Sequence, residues 1–425
     1  MVKVSLVNLG CPKNLVDAEY LLGYWQKQGY HITKEPVKAD IVIVNTCSFI
    51  RQAKEESIAT ILETAGLKKK GKLKKLIVAG CLVRELGPEL AKSLPEVDVF
   101  YQQSPTYLPE HSAARYQLTP FFSAYVKICD GCDNNCSYCL IPAIRGKFRS
   151  RAYPDIVAEA KKLVAQGVRE INLIGQDITN FGSDRYHCRT LAELIRQLLK
   201  IKDLRWLRLL YAHPAHLDSE VIRLMSTKEK ICQYIDLPLQ HINDSILRQM
   251  NRRVTRRQIE NMIKNIRRTL PGAALRTTFI VGFPGETESQ FQELYDFVAA
   301  ARFDRLGVFA YSREEGTRAA SMPGQIPEKV KQQRLKKIML LQQKIALANN
   351  KKLIGKKMTV VIEGQGQKGY YLGRSQYDAP EIDNQVLVHS TARLRPGTFI
   401  RVKITKALPY DLIGQAQIRH KGTKF

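Results

Sequence analysis

Along the first hundred positions, short apolar runs alternate with stretches of helical periodicity. Val2–Leu9, Asp40–Thr46 and Lys75–Gly80 read as strands, and Leu15–Gln28 and Glu55–Ala65 as the helices between them. That alternation predicts a parallel sheet in a small α/β domain. From Ala124 to about Asn350 the alternation lengthens. Strands are expected at Tyr125–Cys129, Glu170–Ile174, Arg205–Leu210, Gln233–Leu237, Leu275–Val281 and Leu306–Ala310. Helices between them include Ile156–Gln166, Leu191–Leu199 and Gln290–Ala301. Six βα units fit a partial (βα)6 barrel, which collects its functional residues at the strand C-termini. Lys329–Lys351 reads as a long basic helix linking domains. After it come the short alternating strands MTVVIEGQ, GYYLGRS, NQVLVHS and TFIRVKITKAL, broken by glycine turns, as in a small all-β barrel. The expected domains are therefore 1–117, 118–350 and 351–419.

Cysteines sit at the joints of this pattern. Cys132, Cys136 and Cys139 form a CxxxCxxC loop directly after the first strand of the central domain. Three thiols within eight residues make a metal site or a disulfide knot, and a chain with no export signal disfavours the knot. A 4Fe–4S cluster takes one ligand per iron, so three cysteines leave one iron open to ligate a small molecule. The alternative is a four-thiolate zinc site completed by Cys129. In the first domain, Cys11, Cys47 and Cys81 each fall just past a predicted strand, at LGC, NTC and AGC. Strand ends of an open parallel sheet share one edge, where ligands bind, so these thiols are expected to converge on a second iron–sulfur site. Cys188 and Cys232 have no cysteine neighbours and are not expected to be ligands.

Polar and glycine-rich residues follow the later strands of the central domain: Gln176 and Asp177, His213, Gln240 and His241, then Gly282 to Glu286. Glycines allow close backbone approach, and Gln and His edges can bond a nucleoside or amino-acid group. His213 and His241 read equally well as packing residues. Asp236 and Arg276 are candidates for support behind the site. Arg145, Lys147, Arg149 and Arg151 follow the cysteine loop and could offset anionic charge there.

Composition adds a partner class. The 425-residue chain is 44% hydrophobic and 25% charged, ordinary for a globular protein, but carries a net charge of +27. The excess is clustered at Gly66–Lys75, Arg248–Arg268 and Lys329–Lys357, which points to a polyanionic neighbourhood such as nucleic acid or a nucleoprotein particle. No run of about 18 apolar residues suggests a membrane span, and the N-terminus lacks a signal-peptide pattern, so the cytoplasm is expected.

The CxxxCx(aromatic)C loop, with Tyr138 before the last thiol, resembles the signature of the radical S-adenosylmethionine (SAM) superfamily. LGCPKNLVDAE, NTCSFIRQAKEES and VAGCLVRE resemble the N-terminal domain of the methylthiotransferases within it, and the C-terminal strands resemble the TRAM barrel. The resemblance implies two 4Fe–4S clusters, on Cys132, Cys136, Cys139 and on Cys11, Cys47, Cys81, with SAM as cosubstrate. It also implies that Tyr138, Gln176, Gln240, Gly282, Glu286 and Arg276 lie about the SAM pocket. Within the family, LGCPKN and DAPEID resemble the branch that modifies an aspartate β-carbon in the twelfth small-subunit ribosomal protein. A branch acting on tRNA adenosine is the alternative, and a zinc-stabilised RNA-binding protein a more remote one. Implied partners are the ribosomal protein, free or in the assembled subunit, a sulfur donor, and a flavodoxin- or ferredoxin-like reductant. Asp378, Glu381 and Asp383 are anionic in a barrel that resembles an RNA-binding module. They are expected to dock a basic protein substrate.

Overall fold

A computed structural model describes residues 1–71, 73–102, 115–367 and 369–417. Lys72 of the first lysine cluster and Arg419, the expected end of the barrel, lie outside these. The chain opens with β1 (Lys3–Asn8), α1 (Pro12–Lys27), β2 (His31–Ile32), β3 (Ile41–Thr46), α2 (Arg51–Lys69), β4 (Lys75–Gly80), α3 (Cys81–Ser93) and β5 (Val99–Tyr101). The five strands form one parallel sheet in the order β2-β1-β3-β4-β5. β3 is buried throughout, which is why its run IVIVNT is almost unbroken apolar. Register aligns Asn8 with Asn45 and Thr46 with Gly80, so the three strands before Cys11, Cys47 and Cys81 end level.

The central domain holds β6 (Ser123–Lys127), the short pair β7 (Cys129–Asp130) and β8 (Arg149–Ser150) flanking α4 (Ile141–Arg145), then α5 (Tyr153–Ala165) and β9 (Glu170–Ile174). It continues with α6 (Leu191–Leu199), β10 (Trp206–Leu209), α7 (Ser219–Thr227), β11 (Tyr234–Asp236), α8 (Asp244–Gln249), α9 (Arg256–Thr269), β12 (Ala274–Val281), α10 (Glu288–Ala301) and β13 (Arg305–Ala310). The strands run parallel as β10-β9-β6 and β11-β12-β13, joined by a bridge between Leu207 and Ile231. One apolar core runs between this sheet and its helices, from Ile156 and Leu173 to Phe279 and Ile345.

α11 (Glu328–Lys351) lies along α10 and β13, burying Ile338 and Ile345. Gln342 donates to the Phe303 carbonyl at 2.9 Å. The helix leads into a closed barrel of β14 (Lys357–Gln365), β15 (Tyr370–Ser375), β16 (Val386–His389), β17 (Phe399–Ala407) and β18 (Leu412–Ala416). Among the described residues no helix is long and apolar enough to cross a membrane.

Buried charges fasten the three parts together. From α1, Asp17 accepts from Lys127 of β6 at 2.5 Å and from Arg145 of α4 at 3.3 Å, and both cations also hold Asp130. On the other side Glu170 of β9 takes Arg374 of β15 at 2.5 Å and Arg208 of β10 at 3.1 Å, all three fully or nearly buried. Removing one member of such a group leaves an uncompensated charge and costs about 3–5 kcal/mol.

Candidate iron–sulfur and SAM site

Cys11 is the N-cap of α1 and Cys81 the first residue of α3. Helix N-termini favour anionic sulfur. The turn into Cys81 requires glycine. Gly80 has φ of +98°, and a Cβ there would lie 2.4 Å from the Thr46 carbonyl oxygen. Cys47 leaves β3 with its N–H on the Ser57 hydroxyl, which donates back to its carbonyl. The three thiols act on one another electrostatically: burial raises Cys47, and negative charge on Cys11 or Cys81 raises it further. Burial alone would raise Cys11 too, but the Lys13 and Arg145 cations and backbone donors hold it below the ordinary thiol value. Arg145 also donates to the Cys81 sulfur at 3.7 Å and to the Asn14 side chain.

In the central loop, Cys132, Cys136 and Cys139 are half-buried and unbonded to one another. Burial pushes the Cys132 thiol up to about 11 and that of Cys139 up to about 12, and metal ligation takes such thiols as thiolates. Two neighbours that the spacing did not single out face these sulfurs. Asn134 donates to Cys132 at 3.4 Å, and buried Arg252 donates to Cys136 at 3.6 Å. Tyr138 packs beside Phe283 and Tyr311 behind the loop.

The sulfur spacing tests what these triads can hold. A tetrahedral zinc with Zn–S near 2.3 Å sets its sulfurs about 3.8 Å apart. Among the described residues, neither triad has all three sulfurs within 4.8 Å of one another. Neither is gathered as a single zinc needs, and three thiols apiece are the donor set of an iron–sulfur cluster with one iron left open. Cys129 does not complete a four-thiolate set. It is fully buried, donates to the Asp177 carbonyl at 3.6 Å, and packs where a side chain at Gly175 would sit. Burial pushes its thiol well up.

The residues expected about the SAM pocket divide. Gln176 donates to Asp130 at 2.9 Å while its side-chain oxygen is buried without a partner. Gln240, at φ of +75°, likewise has an unpartnered side-chain oxygen. Both keep an acceptor free for a ligand. Glu286 does not: its fully buried carboxylate accepts from the Gly282 N–H, His241 and Arg334, bracing the loop against α11. A Cβ on Gly282 would meet the Lys331 side chain at 2.3 Å. Both residues are thus tied into the contact between this loop and α11. Arg276 is committed as well, to Asp236 at 2.9 Å and Asp383 at 3.4 Å. Asp177, His213 and His216 gather beside the loop, with Asp177 bridging Asn134 and His216.

The docking expectation for the barrel acids is corrected by burial. Asp378 is buried and bonded to Arg305 at 2.8 Å, and Asp383 accepts from Tyr234 at 2.5 Å. They hold the barrel on the core and present no free charge; Glu381 alone of the three is exposed.

Comparison with known proteins agrees with this architecture. The model of the uncharacterized protein family UPF0004 matches residues 3–102, that of the radical SAM superfamily 126–298, and that of the TRAM domain 354–416. Among solved structures, the radical SAM methyltransferase TsrM from Kitasatospora setae, with cobalamin and a [4Fe-4S] cluster bound, superposes with a TM-score of 0.54. It is 15% identical, over 75% of this chain and 77% of TsrM, a likeness of fold. The ribosomal protein uS12 methylthiotransferase RimO of Syntrophotalea carbinolica is 47% identical over 97% of this chain and 96% of its own length. RimO of Pelotomaculum thermopropionicum is also 47% identical, over 97% and 99%. With 47% identity over nearly the whole of both chains, the chain belongs to the RimO methylthiotransferase family.

Proposed function

We infer that this chain is a radical-SAM methylthiotransferase acting on ribosomal protein uS12, and that the modified position is the β-carbon of an aspartate. The observation that carries it is the pair of three-cysteine sites within a chain that matches uS12 methylthiotransferases from end to end. The tRNA reading is not favoured, since those relatives modify uS12.

Cys132, Cys136 and Cys139 would hold one 4Fe–4S cluster, which would supply the electron for SAM cleavage, and Cys11, Cys47 and Cys81 a second, which would supply the sulfur chemistry. The chain's own residues set the conditions. Arg252 and Asn134 offer donors to the central sulfurs, and Arg145 does so for Cys81. The free oxygens of Gln176 and Gln240 take donors of SAM. The Asp17–Lys127–Asp130–Arg145 group holds the first domain rigidly on the second, so that the two sites keep one separation during transfer. A low-potential flavodoxin- or ferredoxin-like reductant and a sulfur donor complete the reaction in the cytoplasm.

The test is anaerobic reconstitution, which should give about eight irons per chain. Changing Cys132, Cys136 and Cys139 to Ala should remove half the iron and all SAM cleavage. Changing Cys11, Cys47 and Cys81 should keep SAM cleavage and abolish methylthiolation of uS12 by mass spectrometry. Full iron in either triple variant would refute the assignment.

A further inference from the structure

The basic run Lys329–Lys357 is given no task by the cluster sites, and folding gathers its end away from them. A pocket of about 440 Å³ opens there, lined by the starts of β12, β13 and β14 and by the ends of α10 and α11. Chemistry in such a barrel collects at the opposite, C-terminal strand ends, where the cysteine loop lies. Two arginines of the pocket are committed, Arg267 to Asp304 at 3.2 Å and Arg305 to Asp378 at 2.8 Å. Four other cations lining it, Arg302, Lys352, Lys356 and Lys357, are exposed. Among the described residues none of the four has a carboxylate partner, and Lys352 meets the Asn349 side chain at 3.4 Å. The barrel extends this charge against its own stability. Lys357 of β14 lies directly opposite Lys403 of β17 in the antiparallel ladder, both exposed. Like charges facing across a ladder destabilise it. A surface charged for solubility mixes both signs, whereas this one gathers a single sign around a cavity. Leu353 and Tyr377 add apolar surface and an aromatic ring to the lining. Cations that follow a backbone beside a ring on which a base can stack suit RNA.

We propose that this pocket and the Lys357–Lys403 edge dock ribosomal RNA of the small subunit, so that the enzyme engages uS12 within the assembled particle. The identity of the particle rests on the uS12 reading above, while the RNA class follows from the charge and lining of the surface. Phosphate contacts fix position and orientation without reading sequence. The surface lies clear of both cysteine triads, so RNA held there leaves the reaction end open. Choice of the target residue stays with that end, and the pocket adds affinity for the particle that carries it.

The experiment titrates reconstituted holoenzyme with small subunits from cells lacking this chain, over a salt series, with the protein-free RNA of those subunits as competitor. The parent should bind subunits with a steep salt dependence, and the RNA should compete. A variant combining Lys352→Gln, Lys356→Gln, Lys357→Gln and Lys403→Gln should bind about tenfold or more weakly, and its slope of log affinity against log salt should be shallower by roughly 3. Its iron content and uncoupled SAM cleavage should match the parent. Its thermal midpoint should be no lower, since Lys357 and Lys403 no longer repel each other. Arginine at the same positions should keep the parent's affinity. A glutamine variant with the parent's affinity and salt slope overturns the inference. So does a parent that binds subunits while their RNA fails to compete, which assigns the surface to a protein of the particle. A parent that binds subunits and RNA as expected but leaves uS12 unmodified supports the docking surface and overturns the uS12 reading alone.

Discussion

Arg252 shows how one side chain tunes a metal site from behind. Its guanidinium is fully enclosed, donating to the Pro238 carbonyl at 2.6 Å and to the Cys136 sulfur at 3.6 Å. A fixed cation beside a ligating thiolate stabilises the more negative, reduced cluster. Arg252→Met should therefore lower the reduction potential of the central cluster and slow SAM cleavage at unchanged iron content, which a spectroelectrochemical titration would read. Cys129 is the opposite case. Its sulfur is used up in packing and in the Asp177 carbonyl, so Cys129→Ser should leave iron content and visible absorption as in the parent. Loss of the central cluster in that variant would restore a four-thiolate reading. The spacing CxxxCxxC marked the three candidate ligands directly, because ligands within one loop need only local geometry. Arg252 and Asn134 were not legible as neighbours, since nothing in a single Arg or Asn says which sulfur it will face.

Among the elements, the β4–α3 junction carries the first site. Helix α3, which the periodicity did not mark, starts at Cys81 itself, and Gly80 makes the turn. Gly80→Ala places a methyl group 2.4 Å from the Thr46 carbonyl oxygen at a left-handed φ. It should cost about 2 kcal/mol or more in thermal unfolding and reduce iron loading at Cys11, Cys47 and Cys81 while sparing the other triad. Strands were the clearest elements in advance. Glu170–Ile174 and Lys75–Gly80 have the expected bounds, since parallel strands buried on both faces read as unbroken apolar runs. β18 was missed: Leu412–Ala416 is too short and mixed to show alternation, and its pairing to β16 and β17 closes the barrel only in three dimensions.

At the scale of the whole molecule, the barrel is bound to the core through buried ion pairs, and acid should loosen it. Burial opposes ionising Glu170, yet Arg374 and Arg208 bring its carboxyl down to about 2 from 4.5. Because the folded value lies below the unfolded one, this stabilisation is complete above about pH 4.5 and is lost as pH falls toward 2. It amounts to roughly 3 kcal/mol. Fluorescence of Trp206, whose ring meets Phe399 of the barrel edge-on at 4.8 Å, should report the loss in that window. Asp378→Asn should weaken the same interface by about 3 kcal/mol, because Arg305 is left buried beside a neutral group, and should raise proteolytic release of the barrel. A variant as resistant as the parent would show that the barrel is held by other contacts.

By itself the sequence determined the three-part order, the longer strands and both cysteine triads, because alternation and spacing act through the local backbone. It also carried the family resemblance that led to the chemistry. Only the tertiary structure decided what the charges do. DAPEID reads as an exposed acidic edge until Arg305, Arg276 and Tyr234, more than seventy residues earlier in the chain, close on Asp378 and Asp383. Lys13 reads as one of sixty-seven basic residues until folding buries it on the Tyr211 ring beside Cys11. The partner of a buried charge is chosen by long-range packing, and neither composition nor period encodes that choice.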